Sequence, residues 1–234
     1  MRQAIPIFKR EFKSYFVSPI AYIVIAIFLL VTGWFFFATF FLVGQANLRN
    51  FFSLLPIIFS FVIPAITMRL VSEELNIGSY EILLTMPVTL TDVILGKFLA
   101  AVFFVIAMLI PTFAYPVTIT ALGQLDWGPV LGGYMGAVLL GAAFSAIGLF
   151  ASAMTRNQII AFIVGMAICF ILTLLDKMLF FLPRTMLGLL AYLGADIHFQ
   201  NISKGIIDSR DIVYFLSVSF ISLYGAYLAL RGKY

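Results

Sequence analysis

Long uncharged apolar runs, not alternation, dominate the pattern of this chain. Charged residues bound such runs between Lys13 and Arg49, Arg49 and Arg69, Lys97 and Asp126, Asp126 and Arg156, Arg156 and Asp176, and Asp211 and Arg231. A helix crosses about 30 Å of hydrocarbon with about 20 apolar residues, and each run is near or above that length. Backbone polar groups in lipid must pair within the segment, and the runs lack the alternation of an outer-membrane barrel strand. The pattern therefore predicts an all-α integral membrane protein with six transmembrane helices, one domain over residues 1–234.

Smaller signals sit between the runs. Ile5, Phe8, Phe12, Tyr15 and Phe16 recur at helical spacing, with Lys9, Arg10 and Lys13 on the flank. That spacing predicts an amphipathic N-terminal helix lying in the interface, serving either as a docking element or as a basic topogenic tail. Pro19 marks the turn into the first span. Pro56 and Pro64 are expected to kink the second span, and Pro111 and Pro116 the third. Gly132, Gly133, Gly136, Gly141, Ser145 and Gly148 put small residues on the fourth, which permits close helix approach. The connections near Gln45, Gly123 and Asn157 are short, whereas Arg69 to Gly96 and Asp176 to Asp211 are long. Long connections concentrate function.

Composition agrees and adds orientation. The chain is 63% hydrophobic and only 10% charged, with a mean hydropathy of +1.13, whereas about a quarter of a soluble domain is charged. The net charge of +4 matters through its placement. With the N-terminus inside, Arg2, Lys9, Arg10, Lys13, Arg69, Lys97, Arg156, Arg231 and Lys233 lie inside. Arg49, Lys177, Arg184, Lys204 and Arg210 lie outside. Both termini are therefore expected in the cytoplasm. The first run is too long and aromatic for a cleaved leader and reads as an uncleaved span. Cys169 is the single cysteine, so no internal disulfide forms.

Candidate chemistry is sparse. The sequence holds no H-E-x-x-H, no paired cysteines and no G-x-S-x-G elbow. His198 is the lone histidine and reads as structural. Gly96-Lys97 lacks the upstream glycine and following Ser/Thr of a phosphate loop. Asn201-Ile202-Ser203 is a formal glycosylation sequon without a compartment to use it. Ionisable residues, the usual mark of an ion-coupled carrier, are missing from mid-depth in all six runs. The exception to the oily pattern is Ser72–Glu81, written SEELNIGSYE, continued to Pro87. It reads as two short helical pieces broken at Pro87, presenting Glu73, Glu74 and Glu81 to water, with Thr89-Leu90-Thr91-Asp92 capping the next span. Acids interleaved with Leu75, Ile77, Ile82, Leu83 and Leu84 suit docking onto another protein.

These residues carry a family resemblance. Glu74, Gly78-Ser79, Glu81-Ile82-Leu83-Leu84-Thr85, Pro87 and Leu95-Gly96-Lys97 resemble the pattern E-x-x-x-G-[ST]-x-E-x-L-L-x-x-P…L-G-K of the membrane subunits of type-two ABC transporters. Lys9–Phe16 with Ser18-Pro19-Ile20, and Gly205–Asp211, resemble the gliding-motility branch. The resemblance implies a permease subunit of an ATP-driven exporter in the bacterial inner membrane, coupled to a separate ABC ATPase. It implies pairing with a second copy or a sister permease, and contact with membrane lipid but not nucleic acid. It implies no enzyme activity, metal or cofactor in this chain, with ATP and Mg held by the ATPase. A coupling helix would involve Glu73, Glu74, Gly78, Ser79, Glu81, Pro87, Gly96 and Lys97. An outer lid would involve Pro183, Met186, Leu190 and His198. The alternatives are an ion-coupled carrier or channel, or a membrane anchor or assembly subunit of a surface apparatus.

Overall fold

Six apolar runs become six long helices because only an internal hydrogen-bond ladder satisfies a backbone in lipid. The computed structural model describes residues 3–43, 47–78, 88–178, 192–206 and 208–232, and among them there is no strand. Helix α1 covers Ala4–Val17, α2 Pro19–Val43, α3 Arg49–Thr67 and α4 Arg69–Ile77. Helix α5 covers Leu90–Leu109 and passes through a 3₁₀ turn at Ile110–Phe113 into α6, Ala114–Leu122. Then follow α7 (Trp127–Met154), α8 (Gln158–Met178), α9 (Ala195–Ser203) and α10 (Ser209–Arg231). Among the described residues, six stretches are long and apolar enough to cross a membrane, as expected: Pro19–Ala38, Arg49–Ile77, Leu90–Ala121, Trp127–Met154, Gln158–Lys177 and Ser209–Arg231.

Local signals hold where they depend on nearby residues. Ser18 is extended ahead of Pro19 and separates α1 from α2. Thr89 caps α5, its hydroxyl accepting from the Asp92 amide at 3.2 Å and donating to the Asp92 carboxylate at 2.7 Å. Around Pro111 the third span leaves α geometry, whereas α3 continues through Pro56 and Pro64 as one helix.

Two boundaries differ from the charge map. The helical run that begins at Arg49 does not stop at Arg69 but carries on through α4 to Ile77. The third span begins at Leu90, so Lys97 sits inside it rather than at its edge. A charge ends a span only when it must reach water, and Lys97 does not, because carboxylates meet it within the fold.

The centre of the bundle is α7, which packs against α3, α5, α8, α9 and α10. Lipid supplies no hydrophobic drive between helices, so close packing must hold them together. The small residues of α7 provide it. Gly133 lies on the Phe52 ring and Gly148 on the Thr67 hydroxyl, with no room for a Cβ, and a Cβ on Gly141 would come 2.7 Å from Val105 Cγ1. Buried hydroxyl pairs add cross-links: Ser60 to Thr173 at 2.9 Å, and Thr112 to Tyr134 at 3.1 Å.

Candidate functional site

The segment singled out by its polarity is the short helix α4, and the fold holds it from three sides. Its N-terminus is fixed by α7. The Ser152 hydroxyl accepts from the amides of Val71 (3.0 Å) and Ser72 (2.9 Å) and donates to the Met68 carbonyl (2.8 Å). The first amides of a helix have no partner within it, so one serine joins α4 to the central helix. Leu70, Val71 and Leu75 bury the apolar face of α4 in a cluster with Ile94, Leu149 and Leu230.

The second tie is ionic. Lys97 on α5 is 1% exposed, and its ammonium donates to Glu74 Oε1 at 2.8 Å and Glu11 Oε1 at 3.2 Å. Arg10 approaches the same two carboxylates, at 2.8 Å from Glu11 and 3.5 Å from Glu74, while 58% exposed. Among the described residues, two acids and two bases thus join α1, α4 and α5 in one ionic knot. Burial pushes the Glu11 carboxyl up, but Lys97 and Arg10 together outweigh it and leave it below the ordinary carboxylate range. Beside the knot, α1 lies so close to Gly96 that a Cβ there would sit 2.8 Å from Ile7 Cγ2 and 2.9 Å from the Ala4 carbonyl.

The candidate coupling residues therefore part ways. Glu74 is turned inward to Lys97, not presented to water, because a buried ammonium needs a carboxylate more than the solvent does. Lys97 and Gly96 seat α1. Glu73, half exposed, pairs with Arg69 at 3.1 Å along the helix. Gly78 ends α4 in the left-handed conformation (φ 79), and nothing lies within 4 Å of the place a Cβ would take, so its backbone freedom is what this chain uses. Ile77 beside it is 71% exposed. Ser79, Glu81 and Pro87 lie outside the described residues.

At the other end, Pro183, Met186 and Leu190 also lie outside the described residues, and His198 alone of the lid candidates can be placed. It is buried on α9, stacked 4.1 Å from the Tyr214 ring. Its Nε2 donates to the Tyr192 carbonyl at 2.9 Å, and its Nδ1 lies 2.5 Å from Asp211 Oδ1. A carbonyl only accepts, so Nε2 carries hydrogen. Tyr214 donates to the Leu193 carbonyl at 2.6 Å. The histidine is a brace between α9 and α10, which agrees with its structural reading. Glu11, Ser152 and Asp211 were not singled out by sequence reasoning. Glu11 left a trace as the single acid among the bases of the N-terminal helix, and Asp211 as the boundary of the last run.

The described residues form a bundle of six candidate spans, with the N-terminal helix α1 keyed against it and a polar helix ending the second. A family model described as ABC-2 family transporter protein matches residues 7–227. The chain belongs to the ABC-2 transporter family. It is thus a permease subunit of an ABC transporter and a multi-pass membrane protein, and membership implies an ABC ATPase as partner. Comparison with curated proteins returns no match. In the permease, α4 ends the second helical stretch, and its ionic knot ties it to α1 and to the start of the third span.

Proposed function

We propose that this permease is the membrane half of an ATP-driven exporter and that α4, Gly78 and the residues after them dock into the ATPase. What carries this reading is the attachment of α4. It is bonded to α7 through Ser152, to α5 through Glu74 and Lys97, and to α1 through Glu11 and Arg10. A displacement imposed on α4 would reach three other helices through short, oriented bonds rather than through a loop. Its tip is suited to contact, with Asn76 and Ile77 exposed beside a glycine stop. The catalytic nucleotide site would lie in the ATPase, with its ATP and Mg. Helices α2 and α8 keep most of their surface unpacked within the chain, which leaves room for a second copy or a sister permease. The bases of the N-terminal helix support cytoplasmic termini and an inner-membrane location. The motifs at Lys9–Phe16 and Gly205–Asp211 support the gliding-motility-like branch.

Co-purification with the ATPase tests the docking, and ATP hydrolysis in proteoliposomes tests the transmission. Ile77→Asp should weaken ATPase capture by about ten- to a hundredfold, the worth of one buried apolar side chain. Lys204→Ala, exposed after α9, should leave it unchanged. Gly96→Leu, which displaces α1, should leave capture intact and change the hydrolysis rate of the assembled complex. Capture of Ile77→Asp at wild-type affinity would sink the docking assignment.

A further inference from the structure

A cavity of about 110 Å³ opens between α1, the first turns of α2, the end of α3 and α4. One water needs roughly 10–15 Å³ on this measure, so the space takes a small polar group. Its lining is divided. Glu11, Ser14, Arg69 and Glu73 supply one half, and Ile20 and Val24 are among the apolar residues of the other. The division matches the two helices that meet there: α1 is amphipathic, and α2 opens the first candidate span at Pro19.

The polar half has unused capacity. Glu11 accepts both of its ion pairs on Oε1, and Glu73 binds Arg69 through Oε2. Among the described residues, the other oxygen of each acid, the Arg69 Nη groups and the Ser14 hydroxyl have no hydrogen-bond partner. Two carboxylate oxygens and a guanidinium therefore remain available at one interfacial cavity.

We propose that this cavity binds the head of an aminophospholipid, with its primary ammonium between Glu11 and Glu73 and its phosphodiester at Arg69 and Ser14. The acyl chains would lie along Ile20 and Val24. A primary ammonium has three N–H donors for the two acids. A quaternary ammonium has none and needs open aromatic faces, whereas the rings lining this cavity, Tyr15 and Phe104, are packed on each other at 4.9 Å. An anionic head without an amine would leave the second oxygens of Glu11 and Glu73 without a donor. The proposal does not rest on the docking of α4 into the ATPase.

The test is lipid binding to the purified full chain without ATPase, by native mass spectrometry after delipidation. The probes are phosphatidylethanolamine, phosphatidylcholine and phosphatidylglycerol with identical acyl chains. One phosphatidylethanolamine per chain should bind at least about tenfold more tightly than either rival, the worth of one charged hydrogen bond. Glu73→Gln should erase the preference over phosphatidylcholine, and Arg69→Gln should weaken both of these lipids. Equal binding of all three lipids, or tightest binding of phosphatidylglycerol, overturns the proposal. So does an unchanged preference in Glu73→Gln. Binding of free phosphoethanolamine as tight as that of the whole lipid would overturn the lipid as occupant. Each variant is compared only if it elutes as a single species.

Discussion

Lys97→Met removes the one buried cation of the inner knot and leaves its surroundings nearly isosteric. In the wild type the ammonium holds Glu74 at 2.8 Å and Glu11 at 3.2 Å, and both acids are mostly buried. Without it, two carboxylates face each other, and among the described residues the base beside them is Arg10, itself 58% exposed. Breaking a buried pair by deleting one partner costs about 3–5 kcal/mol. At about 2–4 °C per kcal/mol for a chain of this size, the melting temperature should fall on the order of 10 °C. Glu74→Gln should cost less, about 1.5–3 kcal/mol, because Lys97 keeps Glu11. Replacing all three groups by Met and Leu should recover most of the loss, since an apolar cluster of similar volume has no charge to desolvate. The assay is retention of the monodisperse species after heating in nanodiscs. A Lys97→Met variant that melts within about 1 °C of wild type would refute a dry, ion-paired Lys97, and so would Glu74→Gln proving the more damaging of the two.

Two other perturbations address separate parts of the fold. Glu11 is held below the ordinary carboxylate range, so its contribution is present above the unfolded value and is lost as pH falls through the lower folded one. Wild-type melting should therefore hold from about pH 8 to about pH 5 and drop below about pH 4, with a shallower acid slope in Glu11→Gln; equal slopes would count against the knot. His198→Phe keeps the stack on Tyr214 but leaves Asp211 buried without its partner, for a loss of about 3–5 kcal/mol that Asp211→Leu should partly reverse. A loss below about 1 kcal/mol would show that the brace between α9 and α10 is not needed.

The number of the spans, the N-terminal amphipathic helix, the break at Ser18-Pro19, the cap at Thr89 and the small face of α7 could all be read from the chain. Each depends on a period or on a few neighbouring residues, and the lipid solvent leaves little choice once a run is long and apolar. The motif from Glu74 to Lys97 identified the family for the same reason, being a local string.

Tertiary structure decided what those residues touch. Glu74 and Lys97 are 23 positions apart and Glu11 and Lys97 are 86 apart, and no periodicity connects such positions. The same residues read as water-facing acids and a span boundary until the helices pack and exclude water around them. Ser152 resembles any small residue of α7 until packing brings two amides of α4 and the Met68 carbonyl onto its hydroxyl. Membrane insertion follows hydropathy, which is a sum over each segment. The knot follows pairing in a dry interior, where a charge is stable only beside its opposite, and which opposite it meets is settled by helix packing alone.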